Sequence, residues 1–331
     1  MISKKIYKNR KEIINFFLPI IVAFLFLIPL PYYITTGGGV LEIEKKIIVD
    51  QEINNIGSIN SAYVKQIDGK IITYLFGKIA GFEMEKINNV ILEEEKRSEY
   101  EFRERLSFTN SLTIATKVAY EALDKKFKIT KENLHIIYIE PYAKTDLKVK
   151  DIIISIEGIK INNFDDITKV VEDNNYKDEI TLKVIRNKKE IDCYAKLIKD
   201  NNKTIMGIYV ENEYVYEADP HIDFDFGTNE SGPSGGLMMS LAIYNKLIDY
   251  DITKGKKIVG TGTINELGLV GEIGGIKYKL IGAVREKADV FICPKTNLEE
   301  ALKEKKAHNY KIIIIGVDTF DEAISKLEME I

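Results

Sequence analysis

Ser231-Gly-Pro-Ser-Gly-Gly-Leu-Met-Met-Ser-Leu-Ala-Ile-Tyr244 joins a turn of small residues to an uninterrupted apolar run. The run reads as a buried helix. Pro233 falls at or just before its first turn, where a missing N–H leaves no bond unmade. Gly232, Gly235 and Gly236 leave the backbone bare around Ser234, so another backbone can approach closely. The first N–H groups of a helix lack intrahelical partners and its dipole is positive at that end. A serine hydroxyl there lies beside donors for a developing negative charge. Alone, the stretch fits a plain helix cap or an anion site equally well.

Composition narrows the field. The chain has 331 residues, 45% hydrophobic and 30% charged, with a formal net charge of −4. That is an ordinary balance for a folded chain with a sizeable core and room for more than one domain. No large basic block occurs after the first eleven residues, so nucleic acid is not an expected partner. Cys193 and Cys293 belong to no Cys-x-x-Cys pair, and His135, His221 and His308 form no His-Glu-x-x-His helix. A zinc site, a disulfide framework and any metal or other cofactor are therefore not expected. No Gly-x-x-x-x-Gly-Lys-Ser/Thr occurs, so no nucleotide is expected either.

Lys4, Lys5, Lys8, Arg10 and Lys11 precede a charge-free run from Ile13 to Ile34. About 20 apolar residues cross a bilayer as a helix. Residues 13–34 are therefore expected to be a single-pass anchor after a cytoplasmic tail, 1–12. The basic flank would stay inside and place the rest outside the cytoplasm, at the cell membrane. A cleaved signal peptide would want a shorter core and an Ala-x-Ala-like site. Residues 36–132 are expected to form a membrane-proximal α/β region: Gly37–Gly39 a flexible exit, Leu41–Asp50 and Lys70–Phe76 strands, Asn88–Arg105 a solvated helical face and Leu112–Leu123 an amphipathic helix.

Residues 133–200 alternate as strands at Leu134–Ile139 and Asp151–Gly158, a short helix at Asn163–Glu172, and a hairpin from Ile180 to Ile198 around Asn187-Lys-Lys. Leu147-Lys-Val-Lys-Asp-Ile-Ile-Ile-Ser-Ile-Glu-Gly158, Asp165-Asp166-Ile167 and Val184-Ile-Arg186 resemble a PDZ domain. Such domains bind peptide ends by adding a strand to a sheet edge. Lys150 stands where a glycine usually precedes the aspartate, and no Gly-Leu-Gly-Phe-like loop is present. A spacer role is the alternative to peptide capture.

Beyond Asn201-Asn202, strands at Gly207–Val215 and Ile222–Phe226 lead to the opening stretch. Further elements are a helix at Gly236–Ile248, a strand at Lys257–Ile264, a helix from Ile276, and alternating strands and helices to the end. Four blocks together resemble the proteolytic domain of Lon proteases: Gly232-Pro-Ser-Gly-Gly-Leu-Met-Met-Ser-Leu-Ala-Ile-Tyr244, Gly260-Thr-Gly-Thr-Ile264, Gly271-Glu-Ile-Gly-Gly-Ile-Lys-Tyr-Lys279 and Pro294-Lys-Thr-Asn297. With the anchor and the PDZ-like unit, the chain resembles the bacterial membrane-anchored, PDZ-containing Lon-like serine proteases. The implied fold is α+β, with residues 201–331 as the proteolytic domain.

The resemblance implies a serine–lysine dyad, with Ser234 as nucleophile, Lys279 as base and Thr261 supporting the lysine. A helical wheel disagrees with the family spacing: Ile276, Leu280, Ala283 and Val284 define an apolar face that includes Lys277 and leaves Lys279 to one side. A Ser-His-Asp triad using His221 with Asp223 or Asp225 is the weaker arrangement. Ser231 and Gly235 depart from the family's usual glycine or acidic residue and alanine, and Glu230 adds a nearby negative charge. The implied activity is ATP-independent cleavage of exported or membrane-proximal polypeptides, by a homo-oligomer if the family's rings carry over. The alternative is a non-catalytic scaffold that binds peptides through the PDZ-like unit.

Overall fold

The computed structural model describes residues 10–50, 56–201, 203–228 and 230–331. Lys4, Lys5 and Lys8 of the basic tail lie outside them. In chain order the elements begin with α1 (Arg10–Leu27), β1 (Pro29–Leu41), a 3₁₀ turn (Ile43–Lys46), β2 (Ile47–Val49), β3 (Ser58–Lys70), α2 (Ile71–Ala80), β4 (Glu83–Lys86), α3 (Ile87–Val90) and α4 (Arg97–Glu121). The middle of the chain supplies β5 (Lys126–Ile139), β6 (Ile152–Ile156), β7 (Ile159–Lys160), α5 (Phe164–Asp173), β8 (Glu179–Arg186), β9 (Lys189–Lys196), β10 (Ile198–Asp200), β11 (Lys203–Ile205), β12 (Ile208–Asp219) and β13 (Ile222–Phe224). Then come α6 (Gly236–Leu247), β14 (Lys257–Gly260), β15 (Thr263–Ile264), β16 (Val270–Gly271), α7 (Ile276–Arg285), β17 (Val290–Pro294), α8 (Lys295–His308), β18 (Ile313–Val317) and α9 (Phe320–Glu330).

Residues 1–38 with 64–92 form one unit, and residues 39–63 with 93–331 a second. The first unit corrects the expected extent of the helix at 13–34. The helix stops at Leu27, and Tyr32–Thr35 pair with Glu83–Lys86 as antiparallel strands. Pro29 and Pro31 lack N–H groups and push the residues before them out of the helical region. No helix among the described residues is long and apolar enough to cross a membrane.

Lys70–Phe76, expected as a strand, instead enters α2. The Thr73 hydroxyl accepts from the Lys70 N–H at 2.7 Å, and Gly81 ends the helix at φ +69°. Its β-branched start, Ile71-Ile72-Thr73, mimics a strand in pattern alone. Gly37–Gly39 lies inside β1 rather than in a flexible exit. A Cβ at Gly39 would sit 2.9 Å from the Tyr63 hydroxyl, so this glycine admits a ring. Leu41–Asp50 divides into the 3₁₀ turn and β2, and the two helical segments expected between 88 and 123 merge largely into α4.

In the second unit β18, β17, β14 and β3 run parallel in that spatial order. Alternate residues face opposite sides. Ile258, Val290 and Ile292 pack with Leu112 and Ala115 of α4 and Leu237, Met238 and Leu241 of α6. Val259, Phe291 and Cys293 pack with Ile276 and Leu280 of α7 and Ala301 of α8. Both faces are covered, as parallel sheets require, so the architecture is mixed α/β. The core also reaches well before residue 201, through Ile43, Ile59 and α4.

A separate antiparallel sheet, β12-β5-β6-β8-β9, closes over α5 around Ile136, Ile153, Ile156, Val170 and Val184. Asn163 caps α5 by accepting from the Asp166 N–H at 2.9 Å. Lys150 takes φ +81°, the left-handed region that favours glycine, and the turn is held by Asp151. That buried carboxylate accepts from the Lys148 N–H at 2.8 Å and from Arg186 Nε at 2.8 Å. The usual glycine is thus replaced without loss of the turn, at a conformational cost of about 1–2 kcal/mol. Lys150→Gly should be more stable than Lys150→Ala by about 1 kcal/mol, read from urea-denaturation midpoints, because only the glycine relieves the backbone.

Candidate active site

Ser234 lies in the turn before α6, which begins at Gly236. Pro233 is therefore farther from the helix than expected. Its carbonyl accepts from the Gly236 N–H at 3.1 Å and from the Ser111 hydroxyl of α4 at 3.3 Å. A Cβ at Gly236 would meet Ser111 Oγ at 2.8 Å and Ile264 Cγ2 at 2.9 Å. Glycine there lets the helix start, α4 and β15 share one contact. At Gly235 a Cβ would meet Met239 Cε at 3.1 Å and the Ser61 hydroxyl at 3.2 Å, bringing the buried Ser61 of β3 beside the turn.

The segment leading to Ser234 is tethered from two sides. The Gly232 N–H donates to the Glu104 carbonyl at 3.1 Å, and Gly232 adopts φ +78°. Arg105 Nη1 donates to the carbonyls of Gly227 and, at 3.3 Å, Glu230. Lys46 Nζ donates to the Asp225 carbonyl at 3.1 Å and lies 3.5 Å from Glu230 Oε1. The nearby negative charge noted at Glu230 is thus paired with Lys46. Burial raises the Glu104 carboxyl above its ordinary range.

Lys279 reaches the turn from α7. Gly275, at φ +68°, starts that helix, and the Lys279 N–H donates to the Gly275 carbonyl at 3.1 Å. The side chain is 3% exposed, and its Nζ donates to Thr261 Oγ1 at 3.0 Å. The fully buried Thr261 hydroxyl in turn donates to the Ser234 carbonyl at 2.9 Å. The Gly262 N–H donates to the same carbonyl at 2.8 Å. Desolvation lowers the Lys279 pKa to about 8, because burial disfavours the charged amine.

Lys277 points elsewhere. It is half-buried, with its amine 5.7 Å from the centre of the Tyr278 ring. The helical wheel is overturned because Lys279 is buried and its amine reaches Thr261, just beyond the end of β14. His221 pairs with Asp223 at 3.2 Å on the surface, both largely exposed. Cys293, on β17, is buried and its thiol is pushed up to about 12.

Asn297, quoted in a block but given no role from sequence, braces the approach to α7. Its buried amide accepts from the Ile273 N–H and donates to the Ile273 carbonyl, both at 3.0 Å. Arg105, Lys46, Ser61 and Ser111 were also missed. Their signal is tertiary, since each meets the turn from an element more than 100 residues away in sequence.

Residues 188–329 match the family model of the Lon protease (S16) C-terminal proteolytic domain, and residues 118–197 match that of the PDZ domain. A Lon protease of Campylobacter jejuni is 27% identical over 219 residues, covering 64% of this chain and 26% of the relative. A Lon protease of Trichlorobacter lovleyi is 30% identical over 123 residues, 37% of this chain and 15% of the relative. A Fusobacterium nucleatum protein bearing the name zinc metalloprotease is 32% identical over 140 residues, 42% of this chain and 36% of its own. The chain thus spans between 15% and 36% of the length of these relatives. Together the matches make residues 188–329 similar to a Lon-type proteolytic domain and residues 118–197 similar to a PDZ domain.

Asn297→Ala should lower stability by about 1–3 kcal/mol, because it leaves the Ile273 peptide group buried and unpaired. Thermal unfolding checks the loss, and hydrogen exchange at the Ile273 amide should quicken in the same variant.

Proposed function

We propose that the chain is a serine endopeptidase in which Ser234 is the nucleophile, Lys279 its base and Thr261 the residue that orients the base. The single observation that supports this is the buried run from Lys279 Nζ through Thr261 Oγ1 to the Ser234 carbonyl. A serine hydroxyl needs a base within reach, and a lysine can accept a proton only when neutral. An amine whose pKa is lowered to about 8 has a substantial neutral fraction near neutral pH.

The chemistry balances with water as the one further reactant. Ser234 Oγ bonds to the scissile carbonyl carbon as its proton passes to Lys279 Nζ. The carbonyl π electrons move to oxygen, then return as the C–N bond breaks, and Lys279 returns the proton to the leaving amine. Water then repeats the attack on the ester, with Lys279 again accepting and returning the proton. We assign the oxyanion to the N–H groups of Ser234 and Gly235, which donate to no carbonyl among the described residues. Each such donor is worth about 2.7–4 kcal/mol in enzymes where one has been removed.

The proposed substrates are flexible polypeptides, cut without a nucleotide, outside the cytoplasm and near the membrane. The antiparallel sheet offers the edge strand β12 to an extended peptide, whereas the end of β9 is already bridged by Thr145. The apolar helix α1, exposed around its circumference, supports anchorage at a membrane by a shorter helix than 13–34.

Ser234→Ala and Lys279→Met should each abolish cleavage of an unfolded protein substrate, and Ser234→Ala should abolish fluorophosphonate labelling. If Ser234→Ala labels like the native protein and neither cuts, the chain is a peptide-binding scaffold. Thr261→Ala should lower kcat about 10–100-fold, with Thr261→Ser retaining most activity.

The pH dependence carries a definite sign. Activity, measured as kcat/KM, should rise with pH through an apparent pKa of about 8, as Lys279 loses its proton. Unfolded lysine titrates near 10.4, so between about 8 and 10.4 the unfolded state binds more protons than the native one. Stability should accordingly rise with pH across that window. Lys279→Met lacks this component, so any stability advantage of the variant near neutrality should shrink as pH rises toward about 10.4.

A further inference from the structure

A surface helix ordinarily turns its apolar side chains inward. In α2 the arrangement is reversed. Leu75 is 48% exposed, Phe76 59% and Ile79 86%, whereas the buried position of this helix is Gly77. The same unit contains α1, whose Phe16, Phe17, Ile21, Phe24 and Leu27 are also exposed. The two helices pack together, and the Ile71 N–H that opens α2 donates to the Ile28 carbonyl just beyond α1 at 3.4 Å.

Two features of this junction select lipid as the occupant. The uncharged part of α1, from Ile13 to Leu27, is about 22 Å long as a helix, short of the ~30 Å hydrocarbon core. Additional apolar surface is therefore needed close to its C-terminal end, where α2 supplies it. At the same place the Tyr32 and Tyr74 rings stand 5.2 Å apart, and Lys78 Nζ lies 5.1 Å from the centre of the Tyr74 ring. Tyrosines, and lysines that reach outward over an apolar stem, are the side chains suited to the water–hydrocarbon boundary. The Lys4, Lys5 and Lys8 charges, which precede α1 in the sequence, suit an anionic headgroup layer.

We propose that α2 is a second lipid-contacting helix, lying in the interfacial layer of the bilayer that α1 enters, with Leu75, Phe76 and Ile79 in the acyl chains. This rests on α1 being lipid-seated, as proposed above. The occupant is a bilayer surface, and a second copy of the chain is the competing occupant.

The test uses the full chain in phosphatidylcholine–phosphatidylglycerol vesicles with an environment-sensitive dye on single introduced cysteines. Ile79→Cys reports α2, Phe24→Cys reports α1, and Tyr176→Cys is an exposed control in the other unit. The native Cys193 and Cys293 are buried. Lipids brominated on the acyl chain should quench the dye at positions 24 and 79 severalfold and leave position 176 unchanged. Quenching at 24 without quenching at 79 overturns the proposal for α2 while leaving the anchor. A blue-shifted but unquenched dye at 79 means that protein covers the helix, which also overturns it. Quenching at neither position overturns both, whereas quenching at 79 alone upholds lipid contact by α2 and removes the anchor role of α1. Cleavage activity of Ser234 is a separate readout, so failure here does not bear on the dyad.

Discussion

A primary amine held out of water with one hydroxyl partner is the constraint around which the second unit is built. The Lys279 amine donates to Thr261 Oγ1 at 3.0 Å, its one side-chain hydrogen bond among the described residues. Burial of a lysine is costly while it is charged, so the surrounding structure must hold it in place. α7 begins at a left-handed glycine that turns the helix toward the sheet, and Asn297 clamps the preceding peptide from α8. Thr261, continuing from the central strand β14, receives the amine with its hydroxyl and passes a hydrogen bond to the carbonyl of Ser234. Through Thr261 this one side chain ties α7 to the end of β14 and to the turn before α6.

The turn itself depends on charge. Its carbonyls at Asp225, Gly227 and Glu230 accept from Lys46 and Arg105, while its Gly232 N–H meets the Glu104 carbonyl. Cationic donors to carbonyl oxygens make stronger hydrogen bonds than neutral ones, which suits a segment that lacks a helix or sheet ladder of its own. Core packing of α4 against α6 then transmits the position of Arg105 to Ser234 through Ser111 and Pro233. The PDZ-like sheet rests on a different polar device, the buried Asp151 carboxylate gripped by Arg186. Its environment is rigid enough to keep Lys150 in a backbone region that glycine would occupy without strain.

Much of the fold was legible because the relevant forces are local or periodic. The apolar run after Gly236 became α6, Asn163 with Asp166 marked the start of α5, and the alternation from Ile180 to Ile198 became the β8–β9 hairpin. The resemblance of four sequence blocks to Lon proteolytic domains nominated Ser234, Thr261 and Lys279, which the structure joins through hydrogen bonds. The first ninety residues were least legible. Ile71-Ile72-Thr73 carries strand-like propensity, yet Thr73 caps a helix. Prolines 29 and 31 divide an apolar run that has no charge to mark its end.

By itself the sequence determined that a small-residue turn precedes a buried helix, that two lysines follow in one motif, and that neither metal-binding nor nucleotide-binding motifs accompany them. The tertiary structure alone decided which lysine enters the protein interior, because side-chain burial depends on the strand packed against α7 and not on the helix's own wheel. It also decided that Ile43, Ile47, Ile59 and Ser61, with the inner face of α4, belong to the core around Ser234. Parallel strand pairing and helix packing join segments far apart in the chain, and no local pattern encodes the partner of a half-buried arginine or a single serine.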